Sequence, residues 1–306
     1  MKYLFSFIFL LNVIFYSCLI FIPLNNSYIL TISQGDNLNK IFQNLEDVDI
    51  SFPRLTKILI NLFGIDRKLS LGSYEITPDD SLFEVFKKLY GGQIILKKFI
   101  IQDGSRVKDL FPPEVVNSFC ESKNIPLPCN LEGLIMPDVY LYDRKEELIR
   151  VLNNAVESQK KNIDLAWKQR DDLLDDYSKY QLLIIASILE KESCLNERKR
   201  ISGVIFNRLN KNMLLQMDST TIYGLKSFNG DLKKSHLKDS SLYNTYMHKG
   251  LPPGPISNPS FGSLVAAGQP EIHKYLFFVA NGKCSHKFST NYDDHSRAVE
   301  EFQLNR

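Results

Sequence analysis

The first 24 residues constrain this chain most strongly, because they contain a long apolar run without charges. From Tyr3 to Leu24 the sequence reads YLFSFIFLLNVIFYSCLIFIPL, with Asn12 as its only strongly polar interruption. About 20 such residues are enough for a helix to cross the hydrocarbon core of a bilayer. The run therefore predicts a transmembrane anchor over residues 1–25, followed by a water-exposed remainder.

A cleaved signal peptide is the alternative interpretation of this segment. Signal peptides usually have a shorter apolar core that ends in small residues of the A-x-A type, and these are missing here. Cys18 follows Ser17 as in some lipidation sites, but apolar residues continue beyond it. Lys2 is the only early basic residue, so the positive-inside rule weakly favours a cytoplasmic N-terminus with the rest of the chain outside.

Charge and the spacing of cysteine and histidine argue against several kinds of partner and site. The chain has 37 Lys and Arg against 35 Asp and Glu, which gives no electrostatic preference for nucleic acid. Its five cysteines contain no C-x-x-C motif, and its five histidines contain no H-E-x-x-H motif. We therefore expect neither a metal site nor a cofactor. Cys120 and Cys129 either pair in an oxidising compartment or remain separate thiols.

Apolar periodicity predicts a mixed α+β fold that begins with a small unit. SYILTIS at 27–33 alternates like a half-buried strand, and LSLGSYEI at 69–76 resembles a returning strand. Two helices are predicted between them, and a third follows a Ser81-x-x-Glu84 capping box. Residues 27–92 thus predict a strand-helix-helix-strand unit.

The last third of the chain contains most of the local signals. We expect helices at 181–193, 197–212 and 262–268, strands at 275–281 and near 286–290, and a closing helix from Asp294. MLLQMDSTTIYGL at 213–225 predicts a strand and a turn. The Pro and Gly residues of GLPPGPISNP predict a rigid loop, because proline fixes φ and lacks a backbone donor.

Two glutamates, Glu190 and Glu192, end the apolar helix in ASILEKES. Helical phase places Glu192 on the stripe of Leu182, Ile185 and Leu189, whereas Glu190 points about 200° away. We therefore expect Glu190 at the surface. A carboxyl at the end of an apolar stripe is poorly solvated, so its pKa rises and it becomes suited to act as a general acid.

The alternative for Glu192 is a purely structural pair with Arg198 or Arg208. Neighbouring aromatic, hydroxyl and amide groups favour chemistry on sugars, whose CH faces stack on rings and whose hydroxyls form hydrogen bonds. The predicted substrate-binding residues are Gln216, Asp218, Tyr223, Tyr243, Asn244, Thr245 and Tyr246.

Four segments in order give the chain a family resemblance. ASILEKES, GVIFNRLNKNMLLQMDSTTIYG, YNTYMHKGLPPGPISNP and FVANGKCSHKFSTNYDDH together resemble the bacterial endolytic murein transglycosylases of the MltG (YceG-like) family. LEGLIMPDVYLY and the anchor extend the resemblance over nearly the whole chain. The family's catalytic glutamate is the second one of the E-K-E, which falls on Glu192.

The resemblance implies cleavage of the β-1,4 bond between N-acetylmuramic acid and N-acetylglucosamine within peptidoglycan strands, leaving 1,6-anhydro ends and terminating strand elongation. It implies a transmembrane anchor at 1–25, a LysM-like subdomain at 27–95, a connecting region at 96–180 and a catalytic core at 181–306. The implied location is the bacterial plasma membrane, with the catalytic domain outside the cytoplasm. Implied partners are glycan strands, cell-wall synthases and division proteins.

The chain departs from the family pattern at two positions, and two other functions remain open. Ser219 stands where a proline is usual, and Cys284 replaces a glycine in a late turn. A muramidase that uses Glu192 together with Asp218 is one alternative, since ordinary glycosidases use two carboxyl groups. A non-catalytic glycan-binding scaffold is the other.

Overall fold

The computed structural model describes residues 21–24, 27–33, 35–36, 40, 70–143, 147–192, 195–282 and 284–304. Contacts divide the chain into two compact units, one of residues 1–98 and 141–147 and the other of residues 99–140 and 148–306. The described part holds no helix that is both long and apolar enough to cross a membrane. The predicted anchor lies mostly in residues 1–20, outside the described residues, and the predicted domain boundaries stay predictions.

The first unit contains the predicted returning strand. Strands β1 (Tyr28–Ile32) and β2 (Gly72–Ile76) pair antiparallel, with Tyr28 opposite Ile76 and Ile32 opposite Gly72. Helix α1 (Leu82–Tyr90) follows, and the Ser81 hydroxyl caps it by accepting a bond from the backbone N–H of Glu84. The two helices predicted between the strands fall in residues 34–69, where almost nothing is described.

The core of this unit is formed by the buried faces of its strands and of α1. Alternate residues of β1 and β2 point inward, as the period of two predicts for a half-buried strand. The buried apolar side chains are Leu30, Ile32, Tyr74, Ile76, Leu82, Val85, Phe86 and Leu89.

A short sheet and two short helices come next along the chain. Strands β3 (Lys97–Ile100) and β4 (Val139–Tyr142) pair with each other, and helices α2 (Val107–Leu110) and α3 (Pro113–Ser122) lie between them in sequence. Cys120 at the end of α3 is disulfide-bonded to Cys129. This answers the question that the sequence left open for these two cysteines.

The second unit is mainly helical and contains a β-hairpin near its C-terminal end. Its further elements are α4 (Leu148–Lys168), α5 (Lys179–Glu192), α6 (Arg198–Asn210), α7 (Asp218–Gly224), α8 (Phe261–Gly268), β5 (Phe277–Gly282), β6 (Ser285–Ser289) and α9 (Tyr292–Val299). A π-helical turn, Glu300–Leu304, closes the described chain. β5 and β6 pair antiparallel, as the two predicted strands require.

Helix α5 runs through the centre of the second unit. All residues from Leu182 to Leu189 are buried, and α4, α6, α7 and α8 pack around them. A helix that is apolar on every side is buried rather than amphipathic. The helix therefore has no outer, solvent-facing side. Helical phase cannot place Glu190 at the surface of such a helix.

The strand predicted at 213–217 is absent, and the turn predicted after it is the helix α7. Gln216 has a positive φ of 50°, and this bend leads directly into the helix. Thr220 and Thr221 are β-branched, yet their buried hydroxyls bond to Met217 O and to Asn244 Oδ1. The local bond of Thr220 and the tertiary bond of Thr221 outweigh the weak strand propensity of threonine.

Candidate active site

A cleft of about 410 Å³ lies at the C-terminal end of α5, and we call it the Glu192 cleft. Its lining includes Glu192, Arg208, Gln216, Asp218, Tyr246, Phe277, Phe278, His286, Tyr292 and His295. Gln216 and Tyr246 lie in loops and the others come from α5, α6, α7, β5, β6 and α9, so distant parts of the sequence meet here. The mixture of rings, amides and charged groups suits a polar ligand with apolar faces.

Glu192 is half-buried in this cleft and touches the N-terminal end of α7. Its Oε1 accepts a 2.5 Å bond from the Ser219 hydroxyl and a 3.3 Å bond from the Ser219 backbone N–H. Within the described residues, no hydrogen bond reaches the other carboxyl oxygen. One oxygen is therefore held in place while the other is left for a ligand.

The environment of Glu192 favours its protonated form. Burial is the main cause that raises the pKa of the carboxyl, and the nearby charge of Asp218 adds to it. The bonds from Ser219 and the charge of His286 act in the opposite direction without cancelling the rise. A carboxyl that keeps its proton toward neutral pH can donate it to a leaving oxygen.

Neither of the two arginines proposed as structural partners forms an ion pair with Glu192 in the described part of the chain. Arg198 binds Glu190 instead. The Arg208 guanidinium donates to the carbonyls of Leu215 and Leu276. The interpretation of Glu192 as one half of a salt bridge is therefore not supported.

Glu190 is buried, and the prediction that it lies at the surface was wrong. Only 3% of its side chain is exposed, and its Oε1 lies 2.5 Å from Nη2 of Arg198. Its Oε2 accepts bonds of 2.8 Å from the Ser260 backbone N–H and 2.6 Å from the Ser260 hydroxyl. It connects α5 to the start of α6 and to the residue that precedes α8.

Three of the predicted substrate-binding residues lie together beside Glu192. Gln216, Asp218 and Tyr246 all line the Glu192 cleft. The Tyr246 hydroxyl donates a 2.6 Å bond to Oδ1 of Asp218, and burial raises the pKa of Tyr246. Asp218 is therefore oriented by a neutral phenol.

Asn244 and Thr245 lie beneath the cleft instead of in its lining. They are 0% and 1% exposed. The Asn244 amide donates to the carbonyls of Leu237 and Asp239, and the Thr245 hydroxyl accepts from the backbone N–H of Met217. Their polar groups are already used within the protein, so the geometry gives them the task of holding the segment that carries Gln216 and Asp218.

Tyr223 and Tyr243 are the two predicted residues that lie away from the Glu192 cleft. Their rings contact each other with centroids 4.7 Å apart. The Tyr223 hydroxyl donates a 3.3 Å bond to Oε2 of Glu132, and Tyr223 lines a different cleft. The structure thus separates the predicted set into cleft residues, supporting residues and a tyrosine pair.

A histidine of the Glu192 cleft, His286, and its partner Glu197 were not predicted from the sequence. Nδ1 of His286 lies 2.7 Å from Oε2 of Glu197, and the His286 backbone N–H donates to Oε1 of the same carboxylate. Among the described residues no hydrogen bond reaches the other ring nitrogen of His286, which lines the Glu192 cleft. The two residues are 89 positions apart, and the only available signal was that His286 falls within one of the four resemblance segments.

No three histidine, cysteine, aspartate or glutamate side chains converge as metal ligands among the residues that the structure describes.

Comparisons with known proteins agree with the resemblance. The model of the YceG-like family matches residues 30–301. An endolytic murein transglycosylase of Bacillus subtilis is 32% identical over 207 residues, covering 65% of this chain and 54% of the relative. One of Streptococcus pneumoniae is 31% identical over 180 residues, covering 56% of this chain and 32% of the relative.

A solved structure gives the same result for the fold. The crystal structure of a YceG-like protein from Listeria monocytogenes superposes with a TM-score of 0.56 at 27% identity, covering 89% of this chain and 99% of that one. The alignments span about half the length of the Bacillus relative and a third of the Streptococcus relative. The family match covers most of the chain. The chain therefore belongs to the YceG-like family.

Proposed function

We propose that this chain is an endolytic murein transglycosylase that cleaves the β-1,4 bond between N-acetylmuramic acid and N-acetylglucosamine. The observation that carries the proposal is the position of Glu192. It lies in a cleft, burial raises its pKa, and both of its hydrogen bonds within the described part of the chain fall on one oxygen. Two relatives are named endolytic murein transglycosylases, which supports the same substrate.

A single carboxyl is sufficient for this reaction. Protonated Glu192 donates its proton to the glycosidic oxygen as the bond from that oxygen to C1 breaks. The resulting carboxylate then takes the proton of the C6 hydroxyl on the same sugar, and O6 closes on C1. Glu192 ends protonated again, no water is consumed, and the product carries a 1,6-anhydro end. An intramolecular attack gains from the proximity of O6 to C1.

Product analysis tests the proposal directly. Purified glycan strands are digested in water enriched in ¹⁸O, and the new ends are identified by mass spectrometry. We expect 1,6-anhydro ends without solvent oxygen. Reducing ends that carry ¹⁸O would contradict the transglycosylase and identify a muramidase.

A muramidase is the second candidate, and the position of Asp218 favours it. Asp218 is exposed and lines the same cleft as Glu192. A second carboxyl that activates water must be accessible in this way. Asp218→Asn distinguishes the two functions. A muramidase that uses Asp218 as its base would lose its activity, whereas a transglycosylase does not need that carboxylate as a base. A non-catalytic scaffold would give no product in either experiment.

His286 is expected to support the second half of the reaction. His286 lowers the pKa of Glu192 through its electrostatic influence, so it would stabilise the Glu192 carboxylate. His286→Asn should therefore reduce the rate about tenfold, the effect of about 1.4 kcal/mol lost from transition-state stabilisation. It should also shift the alkaline limb of the pH–rate profile upward, because Glu192 then keeps its proton to higher pH.

His248→Asn is the matched control for His286→Asn, since His248 does not line the Glu192 cleft. Its pH–rate profile should coincide with that of the wild type. If His286→Asn lowered the rate without moving the alkaline limb, its influence would be structural and not electrostatic.

The location and partners proposed for the chain rest on the N-terminal segment and on the reaction. A membrane anchor at 1–25, a LysM-like subdomain and an extracytoplasmic catalytic domain would bring Glu192 to growing glycan strands, where cleavage terminates elongation. The Cys120–Cys129 disulfide supports an oxidising compartment. Cell-wall synthases and division proteins are the proposed partners at that site.

A further inference from the structure

A second cleft of about 470 Å³ lies in the larger unit, and the reaction at Glu192 does not use it. We call it the Arg106 cleft, and its lining includes Arg106, Lys108, Phe111, Asn117, Glu132 and Tyr223. Two cations, an amide and apolar side chains therefore face one space. This composition suits a ligand that carries both a carboxylate and apolar groups.

Arg106 is positioned to bind an anion. Its guanidinium lies 4.7 Å from the centre of the Tyr223 ring, a contact that orients the planar group. Among the described residues, no carboxylate lies within ion-pairing distance of Arg106 or of the exposed Lys108. The guanidinium offers two parallel N–H groups, which match the two oxygens of a carboxylate.

Glu132 does not neutralise these cations by direct pairing. It is 7% exposed and accepts bonds from the Val107 backbone N–H at 3.2 Å and from the Tyr223 hydroxyl at 3.3 Å. Burial is the main cause that raises its pKa. Glu132 therefore forms part of the floor of the cleft. Arg106 and Lys108 give the cleft its positive charge.

The ring of Tyr223 already has two neighbours. Arg106 lies over the Tyr223 ring and Tyr243 packs against it. These contacts take up ring surface that a stacked sugar would need, although the sequence suggested Tyr223 for that role. The neutral sugar backbone also offers no anion to Arg106 and Lys108.

Helix α7 connects the two clefts. Ser219 in its first turn bonds Glu192, and Tyr223 near its end lines the Arg106 cleft. Seven residues of α-helix extend about 10 Å. A glycan strand that ran from Glu192 along α7 would therefore bring its neighbouring sugars and their substituents near the Arg106 cleft.

We propose that the Arg106 cleft binds the stem peptide of a peptidoglycan strand, with Arg106 and Lys108 holding a peptide carboxylate. This inference rests on the proposed function, because it takes its substrate from it. Stem peptides carry the carboxylates of the strand. Phe111, Val116 and Leu131 supply apolar contacts for the side chains of such a peptide.

Calorimetry on the full chain tests this assignment without requiring cleavage. The Glu192→Gln variant is titrated with a soluble disaccharide peptide and, separately, with a peptide-free chitin oligosaccharide. Adding Arg106→Gln and Lys108→Gln should weaken binding of the disaccharide peptide about tenfold or more, in line with the loss of charge-assisted bonds. Binding of the peptide-free oligosaccharide should not change.

The control variant is Lys160→Gln, an exposed lysine outside both clefts. If both ligands lost the same affinity, the cleft would be a sugar site. If neither ligand lost affinity, the cleft would not bind the stem peptide. Either result overturns the proposal. Cleavage is measured in parallel with Glu192 restored. Selective loss of peptide binding in a chain that cuts no strands would contradict the proposed function and leave the peptide site standing.

Discussion

The Glu192→Gln variant should retain the fold and lose glycan cleavage by at least about a thousandfold, within the range expected for a positioned acid and base. The amide has nearly the same shape and can still accept the bond from Ser219. It cannot donate a carboxylic proton to the glycosidic oxygen, nor take the proton of the C6 hydroxyl. The release of anhydro products from purified strands measures the effect.

Stability against pH provides the control for this variant. The Glu192 carboxyl titrates near 4.5 in the unfolded chain, and burial raises its pKa in the fold. Between these two values the folded state binds more protons, so its stability falls as pH rises. The Glu192→Gln variant lacks this loss and should become more stable relative to the wild type as the pH rises above 4.5.

Urea midpoints of both proteins at several pH values measure that difference. All other titrating groups are shared, so their contributions largely cancel in the comparison. A difference that stays constant with pH would show that Glu192 is as well solvated in the fold as in the unfolded chain. If the Glu192→Gln variant still cleaved glycan strands, Glu192 would not be the acid and base of the reaction.

Local patterns in the sequence predict those parts of the site that depend on neighbouring residues. The alternation in 27–33 gives β1, and the Ser81 hydroxyl caps α1. The apolar run before ASILEKES gives α5, and the poor solvation of a carboxyl at its end gives the raised pKa of Glu192. The family resemblance supplies the substrate.

Tertiary partners decide the features that the sequence did not predict. Glu190 is buried because Arg198 and Ser260, the latter 70 residues later, donate hydrogen bonds to its two oxygens. His286 is oriented by Glu197 across 89 residues. No periodicity relates such positions, since each pair is formed only when separate helices and strands pack together.

The Glu190→Gln variant should lose about 3–5 kcal/mol of folding stability, which is typical when one partner of a buried ion pair is removed. Arg198 is 7% exposed at its side chain, and its buried Nε has no hydrogen-bond partner among the residues that the structure describes. The substitution leaves the guanidinium charge uncompensated in this position. Urea denaturation of the variant and the wild type measures the loss.

Glu157→Gln is the matched control for this effect. Glu157 also pairs with a cation on a helix, but Glu157 and Lys160 are both largely exposed. Water solvates the remaining lysine when the pair is removed, so the urea midpoint should not change. If the two variants behaved alike, the Glu190 pair would be no stronger than a surface pair.

A double-mutant cycle separates the ion pair from the loss of the carboxylate itself. Arg198→Met added to Glu190→Leu removes both charges, so most of the stability that Glu190→Leu loses should return. A coupling energy below about 1 kcal/mol, the range of exposed pairs, would contradict a buried pair.

Glu190 precedes Glu192 by two residues on α5, so the charge pair at Glu190 holds the turn that directs Glu192 into its cleft. The two neighbouring glutamates therefore have different roles: the ion pair of Glu190 holds the turn, and Glu192 exchanges its proton in the proposed reaction.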